Sequence, residues 1–224
     1  VAHIGIVACS AEGASLCYRT ICAEETLAHP EVSMHTPSFA DYVERMDRND
    51  WPAVGELMLA SAKKLAAMGA DFLICPDNTI HQAMRYVTPR SPLPWLHIAD
   101  VVADIAKERG FKRVGLLGTR WLIDSAVYPE KLAARKIAYE RPSPAERDDV
   151  HRIIMAELVR GLFEQGSVAR IQRVIRRMRD EGCDAVVLGC TELPLVIDDS
   201  NAELPTLDST RSLARAALRL ARDH

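Results

Sequence analysis

Gly69-Ala70-Asp71-Phe72-Leu73-Ile74-Cys75-Pro76-Asp77-Asn78-Thr79 and Gly182-Cys183-Asp184-Ala185-Val186-Val187-Leu188-Gly189-Cys190-Thr191-Glu192 are two copies of one pattern, 113 residues apart. Each has a glycine, an aspartate, a short apolar run and then a polar cluster. An apolar run of this length bounded by turn residues predicts a buried strand of a parallel sheet. The copies do not stand alone. His3-Ile4-Gly5-Ile6-Val7 matches Arg113-Val114-Gly115-Leu116-Leu117 at an offset of 110, and Leu93-Pro94-Trp95-Leu96 matches Leu204-Pro205-Thr206-Leu207 at 111. Lys63-Lys64-Leu65 lies over Arg176-Arg177-Met178. Matches in the same order at a nearly constant offset indicate a duplicated unit.

Around these anchors the chain alternates strand and helix patterns. β-type runs occur at 4–8, 72–75, 114–117 and 185–188, and helical periodicity at 54–68, 101–109, 150–163 and 171–181. This is the alternation of an α/β fold whose parallel sheets are flanked by helices. The expected architecture is two similar lobes, duplicated about a pseudo-twofold axis with a cleft between them. Residues 1–97 plus 209–224 would form the first lobe and 98–208 the second. The stretch 141–149, with Pro142 and Pro144, reads as a loop.

Composition narrows the function classes. The 224 residues are 48% hydrophobic, 26% charged and only 5% aromatic, with a net charge of −3. No basic field exists to hold a nucleic-acid backbone. The cluster Arg173, Arg176, Arg177 and Arg179 reads as a solvated helix face. No apolar run reaches the length of a membrane span, and the first residues lack the pattern of a secretory signal, so the expected location is the cytoplasm. The six cysteines form no CxxC pair and no zinc-spaced cluster with histidine, so free thiols and no metal site are expected. Cys17, Cys22 and Cys183 read as packing residues, as does Cys9.

The repeat also has a chemical reading. At the offset of 113, Asp77 corresponds to Cys190, Asn78 to Thr191 and Thr79 to Glu192. All follow buried strands, and parallel α/β sheets bind ligands at the carboxyl edge. Inverting a carbon centre without a cofactor needs one group to remove a proton and another to return one to the opposite face. Asp77 and Cys190 are the candidate pair. A thiol facing helix N-terminal amides is eased toward thiolate, and a carboxylate in a desolvated cleft becomes a stronger base. Asn78, Thr79 and Thr191 can hold a substrate carboxylate, as can Ser10 after the first strand. His81 and Glu192 are candidate supporting residues, and Arg160 a candidate for reaching a distal carboxylate.

These segments resemble the aspartate/glutamate racemase family over nearly the whole chain. Gly189-Cys190-Thr191-Glu192-Leu193 is similar to its second catalytic motif and Asp77-Asn78-Thr79-Ile80-His81 to its first. Val114-Gly115-Leu116-Leu117-Gly118-Thr119 and Leu96-His97-Ile98-Ala99-Asp100 resemble further family segments. The resemblance implies a two-lobed α/β isomerase, often a homodimer. It would work without pyridoxal phosphate or another cofactor and invert the α-carbon of an acidic amino acid. Asn78, Thr79, Thr119 and Thr191 would hold the carboxylates or the amino group. Three positions depart from the pattern. Asp77 stands where the family commonly has cysteine, Ala8-Cys9-Ser10-Ala11-Glu12-Gly13 lacks the usual Gly-Gly pair, and Leu122 replaces a frequent threonine. Cys75 is one step deeper on the same strand face than Asp77 and is not expected to replace the missing thiol. The Asp77 departure leaves open a single-thiol decarboxylase or cis–trans isomerase of a malonate- or maleate-like diacid. An inactive small-molecule binding protein is also left open.

Overall fold

The structure is a computed structural model in which residues 1–24 and 27–223 are described. It divides into two units, Val1–Val101 with Thr210–His224, and Val102–Ser209. The first contains β1 (Ile4–Val7), α1 (Ala11–Glu24), β2 (Val32–His35), α2 (Phe39–Asp47), α3 (Trp51–Ala67), β3 (Phe72–Ile74), α4 (Met84–Val87) and β4 (Trp95–Leu96). Helix α5 (Ile98–Glu108) carries the chain into the second unit. There follow β5 (Arg113–Leu117), α6 (Arg120–Ile123), α7 (Val127–Ala134), β6 (Ala138–Glu140), α8 (Pro144–Ala156), α9 (Gln165–Asp180), β7 (Ala185–Leu188) and β8 (Thr206–Asp208). Helix α10 (Ser209–Asp223) returns to the first unit.

Among the described residues the strands form two four-stranded sheets, both parallel throughout, in the orders β2-β1-β3-β4 and β6-β5-β7-β8. Strand register repeats the sequence offsets. Ile4 pairs with Phe72 and Val114 with Ala185, while Leu73 pairs with Trp95 and Val186 with Thr206. The fold is therefore the expected α/β class with two similar lobes.

The Gly-x-Asp element explains why both copies persist. Gly69 and Gly182 adopt φ of +91° and +89°, a region glycine enters without steric cost. They end α3 and α9 in the same way, with Ala70 N donating to Leu65 O at 3.1 Å and Cys183 N to Met178 O at 3.0 Å. The aspartate then clamps the neighbouring strand. Asp71 accepts from His3 N at 2.7 Å, and Asp184 accepts from Lys112 N at 2.7 Å and Arg113 N at 3.2 Å. Each carboxylate thus satisfies backbone donors where β1 or β5 begins. Gly5 and Gly115 match for packing reasons. A Cβ on Gly5 would lie 2.7 Å from Leu73 Cδ2, and one on Gly115 2.5 Å from Met178 Sδ.

Two expectations are corrected. Residues 141–149 are not a loop throughout, because α8 starts at Pro144. Ser143 and Glu146 form a reciprocal capping box, and proline suits a first turn whose N–H groups lack helical partners. The helix expected over 150–163 breaks at Glu157. A separate 3₁₀ turn covers Leu158–Arg160 and ends on Gly161 at φ +71°. Cys17 and Cys183 are buried, whereas Cys22 is only half-buried. The arginine-rich face of α9 is laced with acids. Arg176 and Arg179 meet Glu203, and Arg177 meets Glu146 at 2.8 Å and also Glu181. Its opposite face buries Ile171, Val174, Ile175 and Met178 in the core of the second unit. Among the described residues no helix is long and apolar enough to cross a membrane.

Candidate active site

In the first unit, β3 ends at Ile74 and the chain turns through Cys75 to Asn78 into a 3₁₀ helix, Thr79–Ala83. Asp77 Oδ1 accepts from Ile80 N at 3.0 Å, so this carboxylate supports the turn that follows it. Asn78, Thr79 and His81 are buried around it. His81 is a strap. Its Nδ1 lies 2.6 Å from Asp77 O, and its Nε2 accepts from Ile98 N at 3.4 Å. A carbonyl only accepts and a peptide N–H only donates, so these contacts specify the neutral Nδ1–H tautomer. The His97 ring packs edge-on against His81 at 4.5 Å, and His97 Nδ1 accepts from Ala99 N. His81 thereby ties the peptide of Asp77 to the start of α5.

Cys75 is fully buried, and its thiol lies 3.9 Å from Asp77 O. Burial, and secondarily the charge of Asp77, pushes this thiol well above its ordinary range. It stays protonated and is a poor base. Ser10 is buried after β1 and accepts from Gly13 N at 3.3 Å in the first turn of α1. Ile6 pairs with Ile74, so Cys9 and Asp77 lie equally far beyond the paired strands, and Ser10 shares that carboxyl edge.

The second unit builds a counterpart. After β7 come Gly189, Cys190, Thr191 and Glu192, then a 3₁₀ turn at Leu193–Leu195. Cys190, Thr191 and Glu192 are 8%, 4% and 3% exposed, so all three are shielded from bulk water. One oxygen of Glu192, Oε2, accepts from Cys190 Sγ at 2.8 Å and from Thr191 Oγ1 at 2.9 Å. The thiol thus has a carboxylate in direct reach for its proton. Leu117 pairs with Leu188, which sets Thr119 level with Cys190, each two residues beyond the end of its strand. Thr119 Oγ1 accepts from Leu122 N at 3.4 Å and caps α6. Arg160, by contrast, ends a 3₁₀ turn and is exposed.

Glycine lets this loop close. A Cβ on Gly189 would sit 2.6 Å from Leu122 Cδ2 and 2.8 Å from Leu117 O, while Gly189 N donates to Leu117 O at 2.7 Å. Leu122, the departure from threonine, packs on Gly118 and Gly189 and braces the backbone just before Cys190. That packing role was not readable from the residue type. Nor was Tyr42 of α2, which is fully buried and whose hydroxyl has no hydrogen-bond partner among the described residues. In sequence Tyr42 is one apolar-face position of an amphipathic helix, four residues before Met46.

The profile of the Asp/Glu/Hydantoin racemase family matches residues 9–217. The broad specificity amino-acid racemase RacX of Bacillus subtilis is 23% identical over 206 residues, covering 90% of this chain and 86% of the relative. A crystal structure from Yersinia pestis assigned to the Asp/Glu racemases superposes with a TM-score of 0.89 at 28% identity, covering 99% of this chain and 100% of the other. An aspartate racemase homologue from Pyrococcus horikoshii OT3 gives 0.85 at 26% identity, with the same coverages. The repeated lobes, the two strand-end clusters and these similarities converge: the chain is an isomerase of the amino-acid racemase kind and belongs to the Asp/Glu/Hydantoin racemase family.

Proposed function

We propose that this protein is a cofactor-independent racemase of an acidic amino acid, aspartate or glutamate, with Asp77 and Cys190 serving opposite faces of the α-carbon. The observation that carries the reading is the correspondence of the two residues. Each follows the equivalent strand of its unit, and each is a proton-handling group with its own local support. In one direction the α C–H bond breaks and its proton passes to the Asp77 carboxylate. The electron pair left on carbon then takes the proton of the Cys190 thiol from the other face, leaving a thiolate. The opposite enantiomer runs the same steps in reverse. Glu192 hydrogen-bonds to the Cys190 thiol and can exchange a proton with it between turnovers. Ser10, Asn78, Thr79, Thr119 and Thr191 supply donors for the substrate carboxylates, which draw charge away from the forming carbanion. General acid–base groups of this kind contribute about 10²–10⁴ in rate.

The test is proton NMR in D2O with each enantiomer of aspartate and glutamate supplied separately. Loss of the α-proton signal and appearance of the opposite enantiomer are expected. Retention of the α-proton in both enantiomers would overturn the reading. A cytoplasmic homodimer is part of the same proposal. Cysteines that form no disulfide among the described residues suit a reducing compartment, and the dimer follows from the family resemblance. Light scattering that returned a monomer mass would remove the dimer.

A further inference from the structure

The backbone just before Cys190 has to be glycine, because a Cβ on Gly189 would meet Leu122 and Leu117 O. Glycine is also the residue with the fewest limits on its backbone angles. The chain is therefore least defined by its own sterics where the thiol must be placed. Two hydrogen bonds remove that freedom, and they act on the two ends of one peptide group. Gly189 N donates to Leu117 O at 2.7 Å. Leu188 O accepts from Ser209 Oγ at 2.8 Å. The first bond reaches β5, and the second reaches the first residue of α10.

Ser209 is fully buried, at 0% exposure. A carbonyl only accepts, so the single hydroxyl proton of Ser209 goes to Leu188 O. The Tyr128 hydroxyl of α7 hydrogen-bonds to the Ser209 side chain. It is the donor there, since the serine proton is already committed, and burial keeps the phenol protonated. The Tyr128 ring also lies against the same glycine, its Cε2 3.7 Å from where a Gly189 Cβ would stand. All of these residues belong to the second unit.

The first unit ties down its own loop with different atoms. There His81 bridges Asp77 O and Ile98 N. At the offset of 113 His81 falls on Pro194, which has no side-chain donor, and at 111 Ile98 falls on Ser209. The second unit lacks the histidine and carries a hydroxyl at the helix start instead. We propose that Ser209 is the positioning residue of Cys190: its hydroxyl fixes the plane of the Leu188–Gly189 peptide, and with it the direction in which the Cys190 thiol points.

The test is Ser209→Ala, read in two ways. The first needs no turnover. Native protein is treated with iodoacetamide at pH 8, and mass spectrometry follows each cysteine separately. Cys190 should label about tenfold faster than in wild type, as expected for a loop that has lost one hydrogen bond. Cys183, buried in the same unit, should keep its wild-type rate. An unchanged Cys190 rate overturns the proposal. So does an equal acceleration at Cys183, which would make Ser209 a residue of general packing. The second readout is α-proton exchange of aspartate and glutamate in D2O, and it rests on the function proposed above. There kcat should fall about tenfold with KM within about twofold. An unchanged kcat, or a loss carried by KM alone, overturns the proposal. If wild-type protein exchanges no amino acid, the racemase reading fails on its own, and the labelling still decides the role of Ser209. If Ser209→Ala does not fold, Tyr128→Phe takes its place. That variant keeps the ring over Gly189 and removes the donor to Ser209, so Cys190 should label about threefold faster, and an unchanged rate overturns the proposal.

Discussion

At the residue scale, Cys190 and Glu192 form the most defined chemical pair in the molecule. A buried carboxylate oxygen receives both the Cys190 thiol and the Thr191 hydroxyl, so removing its charge should slow the step that depends on the thiol. Glu192→Gln should lower α-proton exchange at the Cys190 face by about 10²-fold. Single-enantiomer exchange in D2O measures this, and an unchanged rate would assign Glu192 a packing role. Cys75 illustrates the opposite case. It has the same chemical group, but burial and Asp77 keep it protonated. Native protein treated with iodoacetamide at pH 8 should leave Cys75 unlabelled by mass spectrometry, and should label it only after unfolding. An unfolded thiol ionises near its ordinary 9.0, whereas the folded one stays protonated, so its contribution is full below that pH and is lost progressively above it.

At the scale of elements, the Asp71 and Asp184 clamps carry the repeat. Each links the turn before a central strand to the start of its neighbour. Asp184→Ala strands two backbone donors where Asp71→Ala strands one, so the former should cost more, about 2–3 kcal/mol against 1–2. Urea unfolding at pH 7 measures both, and equal losses would refute the ranking. The cap of α8 gives a smaller effect. Ser143→Ala should cost about 1 kcal/mol, in a stretch whose prolines suggest a loop to a reader of the sequence. Proline is ambiguous there because it both breaks a helix and begins one. Only the spacing from Ser143 to Glu146, realised as a reciprocal bond, resolves it.

At the scale of the whole molecule, acid sensitivity should concentrate where α8 meets α9. Burial alone would raise the Glu146 carboxyl. The Arg177 guanidinium and the Ser143 cap outweigh it and hold the group below its ordinary 4.5. A depressed folded value stabilises the protein fully above 4.5, and that contribution is lost as pH falls through the folded value. Wild-type urea midpoints should therefore drop below pH 4.5 more steeply than those of Glu146→Gln.

The sequence by itself determined the α/β class, the duplicated unit, and Asp77 and Cys190 as counterparts. Buried strand runs, glycine terminators and strand-start aspartates are local signals, and they recur at constant offset. Tertiary structure decided which polar atoms meet. His81 straps Asp77 to α5, Glu192 takes the Cys190 thiol, Leu122 packs on Gly189, and the Tyr42 hydroxyl of α2 is buried without a hydrogen-bond partner among the described residues. These contacts depend on side-chain direction and on elements far apart in the chain. Periodicity specifies which face of an element is buried, but not which neighbour that face meets.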